Sequence, residues 1–396
     1  MTPPADGMYV RDAAGLEALC ERIRGAPVVA LDTEFVGENS YYPLLEVVQV
    51  GIDGFAALID FQAVPRLDPL FPMLHDPAVE KVFHAGSQDL EIFLSLAGKP
   101  VTPVFDTQVG AAMVGYGPQI GYAKLVEQIT RRHLKKSQTV TDWSRRPLTP
   151  AQISYALDDV RHLLPVHRHL VDRLKRMGRL EWIREELTRL ERPETFAKLA
   201  DRETYRRVSG GSLLEPRELA ILRELAAWRE GEARARNSPR QRIVSDDVLV
   251  EVARNAPRDH QGLQNFRRLW ARDRKRYGDE LLQAVERGLA CPEADLPERR
   301  RVPRTRVAPG VIDLLEAFLR ARAERDSMSP SMLATKGDLQ ALIDDPRGPA
   351  AQELPILNGW RKTMAAEDVL AILEGRMDLG VDAKSGEIRL RKIQGE

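Results

Sequence analysis

Apolar positions along the first 110 residues follow two periods in turn. Ala13, Leu16, Leu19 and Ile23 share one side of a 3.6-residue repeat, which predicts a helix over residues 11–24. Val28-Val29-Ala30-Leu31 is a continuous apolar run with two β-branched residues and predicts a buried strand, broken at Gly37-Glu38-Asn39-Ser40. Glu46-Val47-Val48-Gln49-Val50-Gly51 and Phe55-Ala56-Ala57-Leu58-Ile59-Asp60, turned at Gly54, read as two more strands. Their short connections predict an antiparallel meander of three strands. After a helix over residues 66–75 the pattern changes. Lys81-Val82-Phe83-His84 reads as a strand, Ala85-Gly86 as a turn, and Ser87 as the N-cap of a helix with Asp89 in its first turn. Val104-Phe105 reads as a further strand, followed at Asp106-Thr107 by another helix; strand–helix–strand connections imply parallel pairing.

Polar residues interrupt this pattern at particular places. Asp32 and Glu34 follow the first buried run two residues apart, so a strand directs both carboxylates to one face. They are either a chance acidic pair at an exposed strand end or part of a divalent-cation site, since hard cations take oxygen ligands and offset carboxylate repulsion. Asp89 is open to the same two readings, because the dipole at a helix start also favours a carboxylate. A meander followed by parallel βα units, with acids at strand ends, is the pattern of a ribonuclease-H-like α/β fold, whose sites gather at the carboxyl ends of the strands. A fourth acid lies on a helix predicted over Pro150–His169, with Ile153, Ala156, Leu157, Val160, Leu163 and Leu164 on its buried side. Asp159 flanks that stripe, Asp158 faces nearer to solvent, and Tyr155 sits one turn before Asp159.

Composition narrows the setting. The 396 residues suggest two or three domains, and 43% hydrophobic with 30% charged residues is ordinary for a soluble globular protein. No apolar run approaches a membrane span, no signal peptide is evident, and the two cysteines, Cys20 and Cys291, lack metal-type spacing; a cytoplasmic protein is expected. Lys plus Arg and Asp plus Glu number 59 each, which excludes a uniformly basic nucleic-acid binder and leaves only local phosphate-binding surfaces.

Asp32-Thr33-Glu34, Phe83-His84-Ala85-Gly86-Ser87-Gln88-Asp89-Leu90 and Tyr155-Ala156-Leu157-Asp158-Asp159 resemble the three motifs of the DEDDy exonucleases. Tyr41-Tyr42-Pro43 and Asp142-Trp143-Ser144-Arg145-Arg146-Pro147-Leu148 narrow the resemblance to the ribonuclease D family, over roughly residues 8–175. Leu214-Glu215-Pro216-Arg217-Glu218-Leu219-Ala220 opens a stretch similar to the helical HRDC domain of that family. The resemblance implies an α/β ribonuclease-H-like exonuclease domain, a mixed sheet flanked by helices, followed by two all-α HRDC-type bundles. The expected limits are 1–208 for the exonuclease, 209–291 for the first HRDC domain, 292–309 for a basic Pro-rich linker and 310–396 for a second, divergent HRDC-like domain. The linker arginines Arg299, Arg300, Arg301, Arg304 and Arg306 belong either to a solvated tether or to an RNA contact. Residues 254–276 hold eight basic residues against two acidic; Phe266 and Trp270 read as core at helical spacing, with the arginines around them left for phosphates.

The family further implies a metal-dependent 3′–5′ exoribonuclease that trims 3′ ends of transfer-RNA precursors and other small structured RNAs and releases nucleoside 5′-monophosphates. Two divalent ions about 4 Å apart repel by roughly 17 kcal/mol at an effective dielectric of about 20, which calls for several carboxylates. Asp32, Glu34, Asp89 and Asp159 are the implied ligands of two Mg²⁺ or Mn²⁺ ions, with Asp32 bridging. A tyrosine's ordinary pKa near 10 makes it a poor base, so Tyr155 is assigned to orienting water and phosphate. His84 is expected to be structural, and Arg145 and Arg146 are candidates for substrate phosphates. RNA is the expected partner, with no membrane and a monomeric state. A DEDDy DNA exonuclease and a non-catalytic RNA-binding adaptor are the alternatives.

Overall fold

The computed structural model describes residues 7–134, 141–298 and 310–393, so the linker arginines at 299–306 lie outside the described residues. The described residues divide into two compact units: 7–34, 45–196 and 310–393 form one, 35–44 and 197–298 the other. No helix among the described residues is long and apolar enough to cross a membrane.

The first unit is built on a six-stranded mixed sheet: β1 (Gly7–Val10), β2 (Val28–Val36), β3 (Leu44–Ile52), β4 (Phe55–Asp60), β5 (Glu80–Phe83) and β6 (Val104–Asp106), in the order β1-β4-β3-β2-β5-β6. The expected strands β2, β3 and β4 are neighbours, and β3 and β4 pair antiparallel from Val47↔Asp60 to Ile52↔Phe55. The change of pattern after β4 marks the change to parallel pairing, β5 with β2 and β6 with β5. β1 is an addition to the expected strands. Its four residues are too few to show alternation, and it is held by parallel pairing with β4, from Gly7↔Ala56 to Val10↔Ile59.

Helices α1 (Ala13–Ile23), α2 (Phe71–Leu74), α3 (Ser87–Ala97), α4 (Thr107–Met113), α5 (Tyr122–Thr130), α6 (Pro150–Arg161), α7 (Leu163–Arg176) and α8 (Leu180–Leu190) belong to the same unit. Three expectations need correction. The helix over 66–75 shrinks to a 3₁₀ turn, Asp68–Leu70, and α2, in keeping with Pro69 and Pro72, which cannot donate. Ser87 is the first residue of α3 rather than its cap, a position held by Gly86. The helix from Pro150 to His169 is two helices, broken at His162. Pro165 gives the reason: its ring would collide with the carbonyl four residues back, at Arg161, where α6 ends.

The second unit holds α9 (Pro216–Ala235), α10 (Arg240–Ile243), α11 (Asp246–Asn255), α12 (His260–Leu263) and α13 (Ala271–Leu289), around a core including Leu222, Leu225, Val248, Val252 and Leu281. The remaining chain returns to the first unit as α14 (Gly310–Arg325), α15 (Pro330–Leu333), α16 (Lys336–Asp344), α17 (Pro349–Gln352), α18 (Gly359–Arg361) and α19 (Glu367–Leu373). It does not end all-α. β7 (Met377–Val381) and β8 (Ile388–Lys392) form an antiparallel hairpin, signalled in the sequence by the alternation Ile388-Arg389-Leu390-Arg391.

These C-terminal helices share one core with the exonuclease helices: Leu315, Phe318 and Leu333 belong to the cluster that contains Val166, Leu170 and Ile183. Trp360 stacks on Trp182 of α8, ring centroids 5.0 Å apart and 10° from parallel. Arg361 is buried; it forks onto both carboxylate oxygens of Glu186 in α8 and donates to the Met332 carbonyl at 2.6 Å, while Trp360 Nε1 donates to Glu186 at 3.0 Å. Burial alone would raise the Glu186 pKa, but Arg361 and Trp360 outweigh it and hold the group below its usual value. The pair therefore stabilises the fold fully above the ordinary glutamate range and loses that contribution as pH falls through the lowered value. Glu186→Ala, which strands the Arg361 charge, should cost about 3 kcal/mol in urea unfolding, whereas Glu186→Leu with Arg361→Met should recover most of it. Equal losses in the single and double variants would show that the charge is not what Glu186 serves.

Candidate active site

Asp32 and Glu34 leave β2 as partly exposed residues on either side of buried Thr33, the alternation expected of a strand. Thr33 Oγ1 donates to Asp89 Oδ1, tying the first turn of α3 to β2. The turn before α3 is held by Asp106, whose Oδ1 accepts from Ala85 N at 3.1 Å and Gln108 N at 2.8 Å, and whose Oδ2 accepts from Gly86 N at 2.9 Å. Asp106 thus caps α4 and braces the turn that delivers Asp89. The turn also requires a glycine, since a Cβ on Gly86 would lie 2.5 Å from Phe83 Cβ.

Asp159 and Tyr155 arrive on α6. Pro150 at the helix start and a reciprocal Thr149–Gln152 capping box set its N-terminus. Gly51 of β3 lets it approach the sheet: a Cβ there would meet Val160 Cβ at 3.0 Å and the Val160 carbonyl at 3.1 Å. Tyr155 packs beside Trp143, with ring centroids 6.3 Å apart. Asp158 faces outward as expected, 39% exposed and paired with Arg161 at 3.1 Å.

Repulsion links the four acids. Burial, then repulsion from Asp89 and Asp159, holds Asp32 well above the usual carboxylate range. Burial, then Asp32 and Asp89, pushes Glu34 up to about 8. Burial, then Glu34 and Asp158, pushes Asp159 up to about 8. Asp89 is pushed up to about 6 by burial and by the charge of Asp106, against the pull of the Thr33 bond, and its own charge acts on Asp32 and Glu34. Among the described residues no three His, Cys, Asp or Glu side chains form a ready-made ion-holding group. The common site is read instead from this repulsion. Its donors are all oxygens, and its charge is compensated by no basic residue among the causes of these shifts; that chemistry fits hard divalent cations.

The other expected residues fall elsewhere. Arg146 is spent inside the protein: its Nε reaches both Asp60 oxygens at 2.8 Å, and its terminal nitrogens donate to the Trp143 carbonyl at 2.6 Å and the Glu46 carbonyl at 3.0 Å. It clamps the 142–147 segment to β4 and β3. Arg145 is 84% exposed and pairs with Asp142 at 3.0 Å. His84 is structural, with Nε2 facing the Ile120 carbonyl at 3.0 Å and Nδ1 facing Thr107 Oγ1 at 2.9 Å, and burial lowers its pKa.

The chain resembles known proteins along most of its length. A 3′–5′ exonuclease family model matches residues 8–175, and an HRDC domain model matches residues 218–285. Ribonuclease D of Granulibacter bethesdensis is 42% identical, with 93% of each chain covered; that of Gluconacetobacter diazotrophicus is 40% identical, with 95% of each covered. The chain belongs to the ribonuclease D family. The crystal structure of Escherichia coli RNase D superposes with a TM-score of 0.83 at 31% identity, over 93% of this chain and 98% of that one. The enzyme is accordingly a 3′–5′ exoribonuclease, with an exonuclease domain and an HRDC domain.

Two further residues of the site have no clear mark in the sequence. Tyr122 of α5 is partly buried beside the acids; its hydroxyl donates to the Asp158 carbonyl at 3.0 Å, and burial, then Asp159 and Asp32, drives its pKa upward. Asp106 reads in the sequence only as a strand end, although an acid before a helix start is a capping signal that could have revealed it.

Carboxylates with raised pKa bind more protons folded than unfolded, so stability should fall as pH rises from about 4, the unfolded value, to about 8. Thermal melts in EDTA should show that slope, and Mg²⁺ or Mn²⁺ at pH 8 should raise the melting temperature. A flat or rising profile would mean that the acids are not crowded together. Gly86→Ala should cost about 2 kcal/mol and reduce turnover by moving the Asp89 turn; unchanged activity would free Asp89 from that geometry.

Proposed function

We propose that the enzyme is metal-dependent and removes nucleoside 5′-monophosphates one at a time from the 3′ ends of transfer-RNA precursors and other small structured RNAs. What carries this reading is the electrostatic repulsion that links Asp32 and Glu34 to Asp89 and Asp159, delivered by β2, α3 and α6 in a chain of the ribonuclease D family. The substrate class is supported by the E. coli relative, described as an exoribonuclease involved in structured RNA processing. The RNA enters by its 3′ end and the protein acts as a monomer in the cytoplasm.

Asp32, Glu34 and Asp159 are assigned to one of two Mg²⁺ or Mn²⁺ ions, and Asp32 with Asp89 to the other. The chemistry such ions supply when bound is activation of the attacking water and neutralisation of the leaving oxygen. Tyr155 is assigned to orienting the attacking water and the scissile phosphate through its hydroxyl. Tyr122 closes the inner side of the site and excludes water there. Thr33 fixes the rotamer of Asp89 through its hydroxyl. Arg145, exposed and paired with Asp142, is assigned to a substrate phosphate, and Arg146 keeps the segment that carries it in place. The α14–α19 region is assigned as a divergent second HRDC-like module, supported by its helical content and its position after the first.

A time course on a 3′-extended transfer-RNA precursor, with and without Mg²⁺ or Mn²⁺, tests this. Asp32→Ala should lower the rate on the order of 10³-fold, about 4 kcal/mol of transition-state stabilisation, while RNA binding in Ca²⁺ remains measurable. Retained turnover would reject the assignment. A faster rate on matched single-stranded DNA than on RNA would replace the substrate class.

A further inference from the structure

The antiparallel register of β7 with β8 sorts their alternating residues onto two faces. Met377, Leu379, Val381, Ile388 and Leu390 share one face, with Lys392 at its end; Arg389 and Arg391 take the other. Leu379 and Leu390 pack against the core of the first unit, while Val381 is 64% and Ile388 36% exposed. The same register decides which backbone groups are left over. Asp382 N donates to the Glu387 carbonyl at 2.9 Å and Ile393 N to the Arg376 carbonyl at 3.1 Å. The bonded pairs therefore also include Gly380 with Arg389 and Asp378 with Arg391. Between them, Ile388, Leu390 and Lys392 turn their N–H and C=O groups away from β7. Among the described residues no third strand takes those groups. Two strands alone make a marginal sheet, and an open edge is a template for another chain.

Residues of β8 and α14 line a groove of about 830 Å³. Ala317 and Ala321, one turn apart on α14, leave room in it. Its charged residues are Arg320, Arg322, Arg325 and Arg389 against Glu324 and Glu387. Arg322 is held by Asp326 at 2.9 Å and Asp368 at 3.4 Å. Arg325 and Arg389 are held lightly: they are 65% and 57% exposed, paired with Asp326 at 3.7 Å and Asp382 at 2.7 Å. Exposed pairs of this kind contribute little, and a competing carboxylate can displace them. Arg391 and Lys392, both exposed, continue the positive strip along β8.

In strand addition, main-chain hydrogen bonds supply the affinity and alternate side chains supply the selection. We propose that the β8 edge, with the groove beside it, binds an acidic segment of a partner protein in extended form, as a third strand of the hairpin sheet. Positions of that segment opposite Ile388 and Leu390 are apolar, and those opposite Arg389 and Arg391 are Asp or Glu. A second copy of this chain fits the edge poorly. Pairing β8 antiparallel with another β8 about Leu390 would set Arg389 against Arg391, and basic side chains on an edge strand oppose self-association. The surface takes a protein rather than the substrate, so it stands apart from the assignment of the RNA.

The full chain is titrated by fluorescence anisotropy with a fluorescein-labelled octapeptide that alternates valine and glutamate. Saturable binding is expected, and the matching valine–lysine peptide should not bind. Arg389→Glu with Arg391→Glu should weaken the glutamate peptide about tenfold and let the lysine peptide bind instead, a reversal that an unfolded hairpin does not give. Methylating the alternate set of peptide nitrogens that faces β8 should cost about fivefold for each bond lost, and methylating the other set should leave binding intact. No binding of the glutamate peptide, equal binding of the lysine peptide, or indifference to methylation of either set overturns the proposal. Displacement of the peptide by a twelve-nucleotide oligouridylate in EDTA would give the strip to RNA and also overturn it. So would a dimer in sedimentation that is lost in Leu390→Pro, whose missing N–H blocks the open edge, since the edge would then belong to a second copy.

Discussion

Like charge held out of water is the constraint around which the first unit is arranged. Burial and the charge of neighbouring carboxylates raise the pKa of Asp32, Glu34, Asp89 and Asp159, so their convergence opposes folding at neutral pH. Each carboxylate is therefore held by something that does not depend on the others. Asp32 and Glu34 ride on a strand that has neighbours on both sides. Asp89 is fixed by the Asp106 brace, the Thr33 hydroxyl and the tight Gly86 turn. Asp159 depends on how closely α6 lies against Gly51. A concentration of like charge of this kind lowers stability, and the surrounding core must supply the difference.

Part of that core comes from the far end of the chain. The helices after residue 310 complete the apolar cluster of the exonuclease helices, and the buried Glu186–Arg361 pair gives that contact a single register. A buried pair of this kind specifies geometry more than it adds stability, because both charges first lose their water. Arg146 plays a comparable part next to the sheet. Its guanidinium joins β4, β3 and the 142–147 segment, and Tyr9 of β1 donates to the same Asp60 at 2.7 Å. An arginine in an exonuclease motif invites assignment to phosphate, yet five well-oriented donors suit an internal joint equally well.

The second unit keeps Phe266 inside and leaves Trp270 out, although the two lie four residues apart. Helical spacing would place them on one face, but α13 starts only at Ala271 and the preceding segment is not helical, so the spacing carries no such meaning. Electrical balance over the whole chain likewise conceals the basic strip along β8, because charge acts over about a Debye length rather than over a composition.

The local arithmetic of the sequence determined the strand β2 with its two acids, the hairpin of β3 and β4, the change to parallel pairing, and the motif order that names the family. Within each strand, turn and motif the residues lie within a few positions of one another, where alternation, helical repeat and turn chemistry act directly. The short β1, the brace from Asp106, the placement of Tyr122 and the internal bonds of Arg146 were decided in the tertiary structure. Most of these depend on a partner far along the chain: Ala56 for Gly7, Asp60 for Arg146, Asp159 for Tyr122. No periodicity records such pairings. They follow from which surfaces fill one core and which polar groups must find a bond once water has left.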